Sequence, residues 1–464
     1  MYSIPRIMIA GTHSGVGKTT IATAVMAMLS KAGLRVQPYK VGPDYIDPGF
    51  HRAATGRVSR NLDTFFLGEE GVKELFVRSA AGADISVIEG VMGLYDGIGA
   101  GDEGSSARVA KILRCPVILV VDARSMARSA AAVVWGYANL PGGIPVAGVV
   151  LNRVGSPRHY QILEEAITEK TGIPVLGCLM RNNELHLPER HLGLVPSVEN
   201  KRLRDTVETL AERAIQGISR EKLLNLARSA PAISAEQHIF AVEPGEPVRL
   251  GIVRDNAFNF YYQDGLDLLK ALGAELVTCS ALDDETLPED LDGLYIGGGF
   301  PEMFIEQLAE NRAFIDVLRR RVEKGMPVYA ECGGLMYLCQ TISDISGQKF
   351  YHGVGILPAR CKMEKKRVAL GYVTATALVD NILVKKGTVL RGHEFHYSTA
   401  GGPDLIPAFL LKKTGGEDGH ADGYASKNVL ATYLHIHFAG SIEAARGLLR
   451  SCARYQRFRR GADN

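Results

Sequence analysis

Two short stretches of this 464-residue chain place reactive side chains where backbone geometry would sharpen them. In PVYAECGGLMYL (327–338), Cys332 sits between a strand-like run and two glycines. A cysteine on such a strand-to-helix elbow is exposed at a sheet edge, and the helix N-terminus is expected to stabilise its thiolate and lower its pKa. Gly333 and Gly334 permit the tight turn. The amide of Gly333, together with Gly298 and Gly299 in YIGGGFPE (295–302), is the expected holder of an oxyanion. Near the end, YLHIHF (433–438) alternates like a strand and carries His435 and His437 on one face, so one of them is the candidate base.

The second stretch is IMIAGTHSGVGKTT (7–20). It reads as a strand, a glycine-rich loop and the start of a helix. Gly15 and Gly17 let the backbone turn its amides toward phosphate oxygens. Lys18 supplies charge for β and γ phosphates, and the Thr19 hydroxyl, followed by Thr20, suits Mg²⁺. The helix that follows directs its N-terminal dipole at the anion. The usual spacing puts a glycine at position 12, where this chain has Thr12, with Gly11 one residue early. The motif is therefore a variant, and a nucleoside triphosphate is the expected ligand.

Carboxylates cluster in the segments that follow. KVGPDYIDPGFH (40–51) offers Asp44, Tyr45 and Asp47 in a loop, and VIEGVMGLYDG (87–97) ends a buried strand on Glu89 before reaching Asp96. The carboxyl ends of strands are where open α/β sheets bind ligands. Thr19, Asp47 and Glu89 are the candidate Mg²⁺ ligands. Asp44, Tyr45, Asp47, Glu89 and Asp96 are the candidates for substrate-side chemistry.

The elements needed to position these residues are also legible. Apolar runs at 6–10, 84–90, 116–122, 145–152 and 174–179 alternate with helix-length segments such as 19–33. Continuous apolar strands of this kind point to a parallel sheet covered on both faces. Residues 200–245 change character, with amphipathic helices followed by a proline- and glycine-containing connector. A second alternating half then opens at 248–255 and continues at 291–299 and 325–331. The expected fold class is α/β, with a doubly wound phosphate-loop domain over 1–220, a linker over 221–246 and a second α/β domain over 247–464.

Composition limits the function classes. Net charge is +2 with 22% charged residues, which gives no reason to expect nucleic acid. No run of 18 apolar residues is present, so no membrane span is expected. Seven cysteines without a CxxC pair fit a reduced, cytoplasmic setting without disulfides or structural zinc.

Together, GTHSGVGKTT, GPDYIDP and IEGVMGLYDG resemble the N-terminal domain of the cobyrinic acid a,c-diamide synthases, itself similar to dethiobiotin synthetase. GGGFPE, AECGGLMYL, RGHEFHYS (391–398) and YLHIHF resemble the class I glutamine amidotransferase domain of the cobyrinate and cobyrate type. The resemblance implies that Cys332 is the glutaminase nucleophile and His435 its general base. General class I enzymes follow that histidine with proline and glutamate. Ile436 and His437 stand here instead, which leaves the orienting acid unassigned. His393, Glu394 and His396 in RGHEFHYS are polar enough for either a site or a structural role.

The resemblance further implies ATP- and glutamine-dependent amidation of the c and then the a carboxylate of cobyrinate, with ammonia passing along a shielded path between the domains. The implied partners are a cobyrinate-type tetrapyrrole, ATP and L-glutamine, with a homodimer as the candidate assembly. Alternatives are amidation of nickel sirohydrochlorin, a regulatory or partitioning ATPase with a non-catalytic second domain, and a free-standing glutaminase. His13, where such ATPases often carry a second lysine, and the Cys332 elbow weigh against the ATPase.

Overall fold

The computed structural model describes all residues except 141, 183–196, 404, 417 and 462–464, and divides the chain into Met1–Gln237 and His238–Asn464. In the first unit seven strands form one sheet: β1 (Arg6–Gly11), β2 (Val36–Val41), β3 (Arg60–Leu62), β4 (Ile85–Glu89), β5 (Val117–Asp122), β6 (Val146–Val154) and β7 (Val175–Met180). Their order is β3-β2-β4-β1-β5-β6-β7, and every pairing is parallel. The strands are almost wholly buried because helices cover both faces, and β5 is apolar up to its closing Asp122, whereas β2 carries Gln37 and Lys40 into the interior. Ile7, Ile9, Val87, Ile118 and Val120 are all buried in one core cluster.

Helix α1 (Lys18–Lys31) starts directly after Gly17 and buries Ile21, Val25 and Leu29. Helix α2 (Asp47–Thr55) carries Pro48 in its first turn, where a missing N–H costs nothing. Since β1 lies between β4 and β5, the chain leaves the sheet centre in both directions, and the carboxyl ends of β1 and β4 form the crevice at the switch point. Ile9 pairs with Glu89, so Gly11 and Glu89 emerge side by side.

The stretch expected to be linker begins as structure. Residues Arg220–Arg228 form a helix capped by the Ser219 hydroxyl, with Leu223 and Ala227 buried in the core of the first unit. Arg6 then donates to the carbonyl of Pro231 at 2.6 Å, and Tyr2 bridges to Ile233. These bonds hold the connector to the first unit as far as that point.

In the second unit β8 (Val248–Val253), β9 (Phe258–Phe260), β10 (Ala274–Cys279), β11 (Gly293–Ile296), β12 (Gly298–Gly299) and β13 (Val328–Glu331) come first. A long stretch of strands follows: β14 (Cys339–Ser343), β15 (Phe350–His352), β16 (Leu357–Met363), β17 (Ala369–Ala377), β18 (Val389–His396), β19 (Ser398–Gly401), β20 (Phe409–Lys413) and β21 (Gly419–Asp422). Last are β22 (Tyr424–Ala425), β23 (Val429–Thr432) and β24 (His435–Ile436).

The central sheet runs β10-β8-β11-β13-β23-β22, parallel except for the β22 edge. The insertion between β13 and β22 supplies β14 to β21 to two mostly antiparallel sheets, β15-β14-β16-β19 and β21-β20-β17-β18-β24, the second of which β24 joins from beyond the insertion. This insertion brings RGHEFHYS, on β18, against β24, where His393 pairs with His435.

Candidate active site

Each unit concentrates its buried polar groups at the carboxyl ends of its central strands. In the first unit the phosphate loop spans the turn from Gly11 to Lys18. Gly15 and Gly17 take φ values of 82° and 94°, a region that side-chain-bearing residues rarely enter. The loop's carbonyls are tied down from outside. Asn152 donates to Val16 at 2.9 Å, Arg153 to Gly15 at 3.0 Å, Tyr137 to Thr12, and Lys18 to His13 at 3.2 Å. Arg153 is itself fixed by Asp122 at 2.6 Å. Tethering the carbonyls leaves a loop whose amide side is available to an anion. Thr20 lies in the first turn of α1.

Beside it the Thr19 hydroxyl donates to Glu89 at 2.7 Å and reaches Asp47 at 3.3 Å. Lys40, on β2, supplies what the sequence reading lacked. Its buried ammonium lies 2.5 Å from Asp47, 2.9 Å from Glu89 and 3.8 Å from Asp44. His51, on α2, bonds Glu89 at 2.6 Å through Nε2 and Ser59 at 3.0 Å through Nδ1. Asp44 mainly shapes the loop, since its Oδ1 accepts from the amides of Ile46 and Asp47 at 2.8 and 3.0 Å. Tyr45 is half-buried in the same loop. Asp96 accepts from Gly93 at 2.8 Å and also contributes its charge at Lys18.

The electrostatics follow from this crowding. Burial opposes a charged Lys40, but Asp47, Glu89 and Asp44 outweigh it and hold the ammonium well above its ordinary pKa. Burial likewise opposes an ionised Glu89, which Lys40, His51 and Thr19 overcome, so its carboxyl falls below the usual range. Asp47 is the group that gives way: burial and then the charges of Asp44 and Glu89 push it up. Burial, followed by the charge of Lys40, brings Lys18 down to about 8. Three carboxylates thus surround one ammonium, an arrangement with a surplus of negative charge.

In the second unit Cys332 takes φ 46° and ψ −99°, left-handed backbone for a side-chain-bearing residue. Its amide donates to Thr432 at 2.7 Å, and the helix Gly333–Leu338 starts at once. The three glycines expected around an oxyanion do converge here. A Cβ added to Gly333 would stand 3.1 Å from the Gly299 amide nitrogen, and one added to Gly298 would stand 2.6 Å from Cε1 of His435. Only glycine lets these backbones approach so closely.

The expected effect on the thiol is reversed. Burial dominates, the Glu302 carboxylate adds to it, and the Gly333 N–H offsets only part, so Cys332 is held well above its ordinary pKa. A six-residue helix gives a small dipole, and a buried cysteine loses most of its hydration. Cys332 therefore rests as a thiol that needs a base. Glu302, the last residue of GGGFPE, is itself pushed up to about 7 by burial.

YLHIHF makes only a two-residue strand before turning into a 3₁₀ helix. His435 stacks on His393 with centroids 4.9 Å apart, and its Nδ1 lies 3.5 Å from Glu331. His437 instead stacks on Tyr262 at 4.5 Å, and burial pushes it down to about 3. Neutral throughout the physiological range, it reads as a packing residue.

RGHEFHYS divides by alternation. His393 faces His435, while Glu394 accepts from His420 at 3.0 Å and His396 stacks on Tyr433 at 3.9 Å. Glu394, His396, His420 and Asp422 line a cavity of about 450 Å³.

The residues missed from sequence are Lys40, His51, Glu302 and Glu331. Lys40 and Glu302 stood inside motifs already singled out. His51 closed one of them, and Glu331 preceded the cysteine. Residue type alone gave no reason to choose them.

Comparison with known proteins agrees with the two-unit division. Residues 7–195 match the CobQ/CobB/MinD/ParA nucleotide binding domain, and residues 249–442 match the CobB/CobQ-like glutamine amidotransferase domain. Over 450 residues the chain is 46% identical to a cobyrinate a,c-diamide synthase of Caldanaerobacter subterraneus subsp. tengcongensis, covering 97% of this chain and 99% of the relative. It is 45% identical to one of Dehalococcoides mccartyi over 455 residues, covering 97% and 98%. With one of Priestia megaterium it shares 44% over 459 residues, covering 98% and 99%. Among the described residues, no helix is long and apolar enough to cross a membrane.

Proposed function

We propose that this chain, which belongs to the cobyrinate a,c-diamide synthase family, uses ATP and glutamine to convert the a and c carboxylates of cobyrinate to amides. The observation that carries the reading is the Cys332 elbow, whose Gly333 packs against Gly299 while the neighbouring Gly298 packs against His435, in a chain that also holds a tethered phosphate loop.

In the second unit the Cys332 thiol gives its proton to His435 as sulfur attacks the side-chain amide carbon of glutamine. The charge that forms on oxygen is taken up by the amides of Gly299 and Gly333. His435 returns the proton to the departing nitrogen, which leaves as ammonia, and water then hydrolyses the glutamyl thioester.

In the first unit a carboxylate of the macrocycle attacks the γ-phosphorus of ATP and ADP leaves. Ammonia displaces phosphate from the acyl phosphate to give the amide. Lys18 offsets charge on the phosphoryl oxygens. Asp44, Tyr45 and Asp96, in the loops after β2 and β4, are the further candidates for acting on the substrate carboxylate.

Mg²⁺ fits this site. Thr19, Asp47 and Glu89 converge on one position and the surplus of carboxylates favours a cation. When bound, Mg²⁺ would neutralise charge on the β and γ phosphates.

The test is direct. The purified chain, given ATP, Mg²⁺, glutamine and cobyrinate, is expected to produce the mass change of two amidations. A parallel incubation offers nickel sirohydrochlorin. Amidation of that macrocycle alone would reassign the substrate, and amidation of neither would end the reading.

A further inference from the structure

The sequence leaves His435 without the acid that general class I enzymes place two residues later. An imidazole used as a base needs a fixed tautomer, with the proton on one nitrogen held by an acceptor. The structure supplies that acceptor from a different part of the chain.

Glu331 ends β13, immediately before Cys332, and its Oε2 lies 3.5 Å from Nδ1 of His435. Both side chains are almost wholly buried, at 1% and 2% exposure. The placement follows from register: β13 pairs in parallel with β23, Glu331 opposite Thr432, so the chain needs only three more residues to bring His435 across the strand end.

The carboxylate is held on several sides. Tyr295 donates to Oε2 at 2.9 Å, Tyr329 to Oε1 at 2.6 Å and the amide of Ile436 to Oε1 at 3.1 Å. Among the described residues its ion-pair partner is His435. A carboxylate buried on three neutral donors is expensive unless it has a use for its charge. The ring it faces is confined as well, by the stacked His393 and by the backbone at Gly298.

We propose that Glu331 is the positioning residue of the thiol site, taking the place of the absent acid after the histidine. The proposal rests on the reading of Cys332 and His435 as the glutaminase pair. Glu331 accepts the Nδ1 proton and so presents Nε2 to the thiol. When Sγ attacks the glutamine amide, the thiol proton moves to Nε2, and the imidazolium stands beside the Glu331 carboxylate. When the C–N bond breaks, that proton leaves with ammonia. Glu331 exchanges no proton in the cycle.

The experiment measures glutamine hydrolysis and ammonium-dependent amidation in the full chain carrying Glu331→Gln. The glutaminase kcat is expected to fall about 100-fold or more, with KM for glutamine nearly unchanged and ammonium-dependent amidation retained. In ¹⁵N spectra of histidine-labelled protein, the His435 signal is expected to change from the Nδ1-protonated tautomer to a mixture.

Tyr329→Phe removes one donor from the same carboxylate without touching His435, and its kcat is expected to fall less than about fivefold. A glutaminase kcat in Glu331→Gln within about threefold of wild type would overturn the proposal. So would an unchanged tautomer, or a loss in Tyr329→Phe as large as in Glu331→Gln. Cys332→Ser separates the two levels: if that variant still hydrolyses glutamine, the glutaminase pair itself is wrong, whatever Glu331 does.

Discussion

The phosphate-loop crevice and the thiol elbow both sit at the carboxyl ends of central parallel strands, yet they balance charge in opposite ways. Around Lys40 the first unit gathers Asp44, Asp47 and Glu89, leaving negative charge in surplus and one carboxyl, Asp47, pushed up. Beside His435 the second unit sets Glu331, braced by two tyrosine hydroxyls and an amide. In the first arrangement three carboxyl groups meet one ammonium. In the second one carboxyl group meets neutral donors and one imidazole. The two crevices therefore differ less in fold than in how much charge each leaves unbalanced.

The contrast can be broken most sharply by removing one centre at a time. Cys332→Ser is expected to lower glutamine-dependent amidation at least about 10⁴-fold while synthesis from added ammonium continues. Lys18→Ala is expected to lower synthesis from either nitrogen source by on the order of 10²–10³-fold. Parallel assays with glutamine and ammonium check both, and loss of ammonium-dependent synthesis in the cysteine variant would merge the two sites into one.

A smaller effect tests whether the first crevice depends on its outer support. His51→Ala removes the imidazole that holds Glu89 and is expected to cost about 10- to 100-fold in ammonium-dependent synthesis, with glutamine hydrolysis unaffected. An equal loss in both activities would show that His51 serves the fold.

The smallest effect probes the thiol side. Glu302 is neutral below its pKa of about 7 and charged above it, where its charge opposes formation of the Cys332 thiolate. Glu302→Gln is expected to speed alkylation of Cys332 by iodoacetamide about two- to fivefold at pH 8 and to leave it unchanged at pH 6. Equal rates at both pH values would separate Glu302 from the thiol.

Both reactive turns were legible in the sequence because each combines a strand, glycines and a helix within some fifteen residues. Glu89 was legible for a related reason, as a carboxylate ending an apolar strand. The supporting groups were not, because their partners lie far along the chain. Lys40 meets Glu89 across 49 residues and His51 meets it across 38. In sequence, a lysine in a strand and a histidine in a helix have ordinary surface and core explanations. Glu331 was visible only as a strand end, since its partner is 104 positions away, a separation read directly from Glu331 and His435. The thiol's pKa was misjudged because a helix N-terminus can be recognised in sequence, whereas the depth of burial that outweighs it cannot. The sheets between β13 and β22 were missed as well, their strands lacking the long apolar runs that marked the parallel sheets.

The adjacency of Glu331, which ends β13, and Cys332, which begins the turn, has a consequence for how this domain tolerates change. Strand alternation fixes the side on which Glu331 stands, and the turn at φ 46° sends Cys332 elsewhere, so the two neighbours cannot be exchanged. Deleting or inserting one residue in β13 would turn the carboxylate toward the turn and the sulfur toward the tyrosines, ending both tasks in one event. Loops elsewhere in the domain can lengthen freely. This four-residue strand cannot, and a library of single-residue insertions scanned across 320–345 should show a narrow dead zone centred on it.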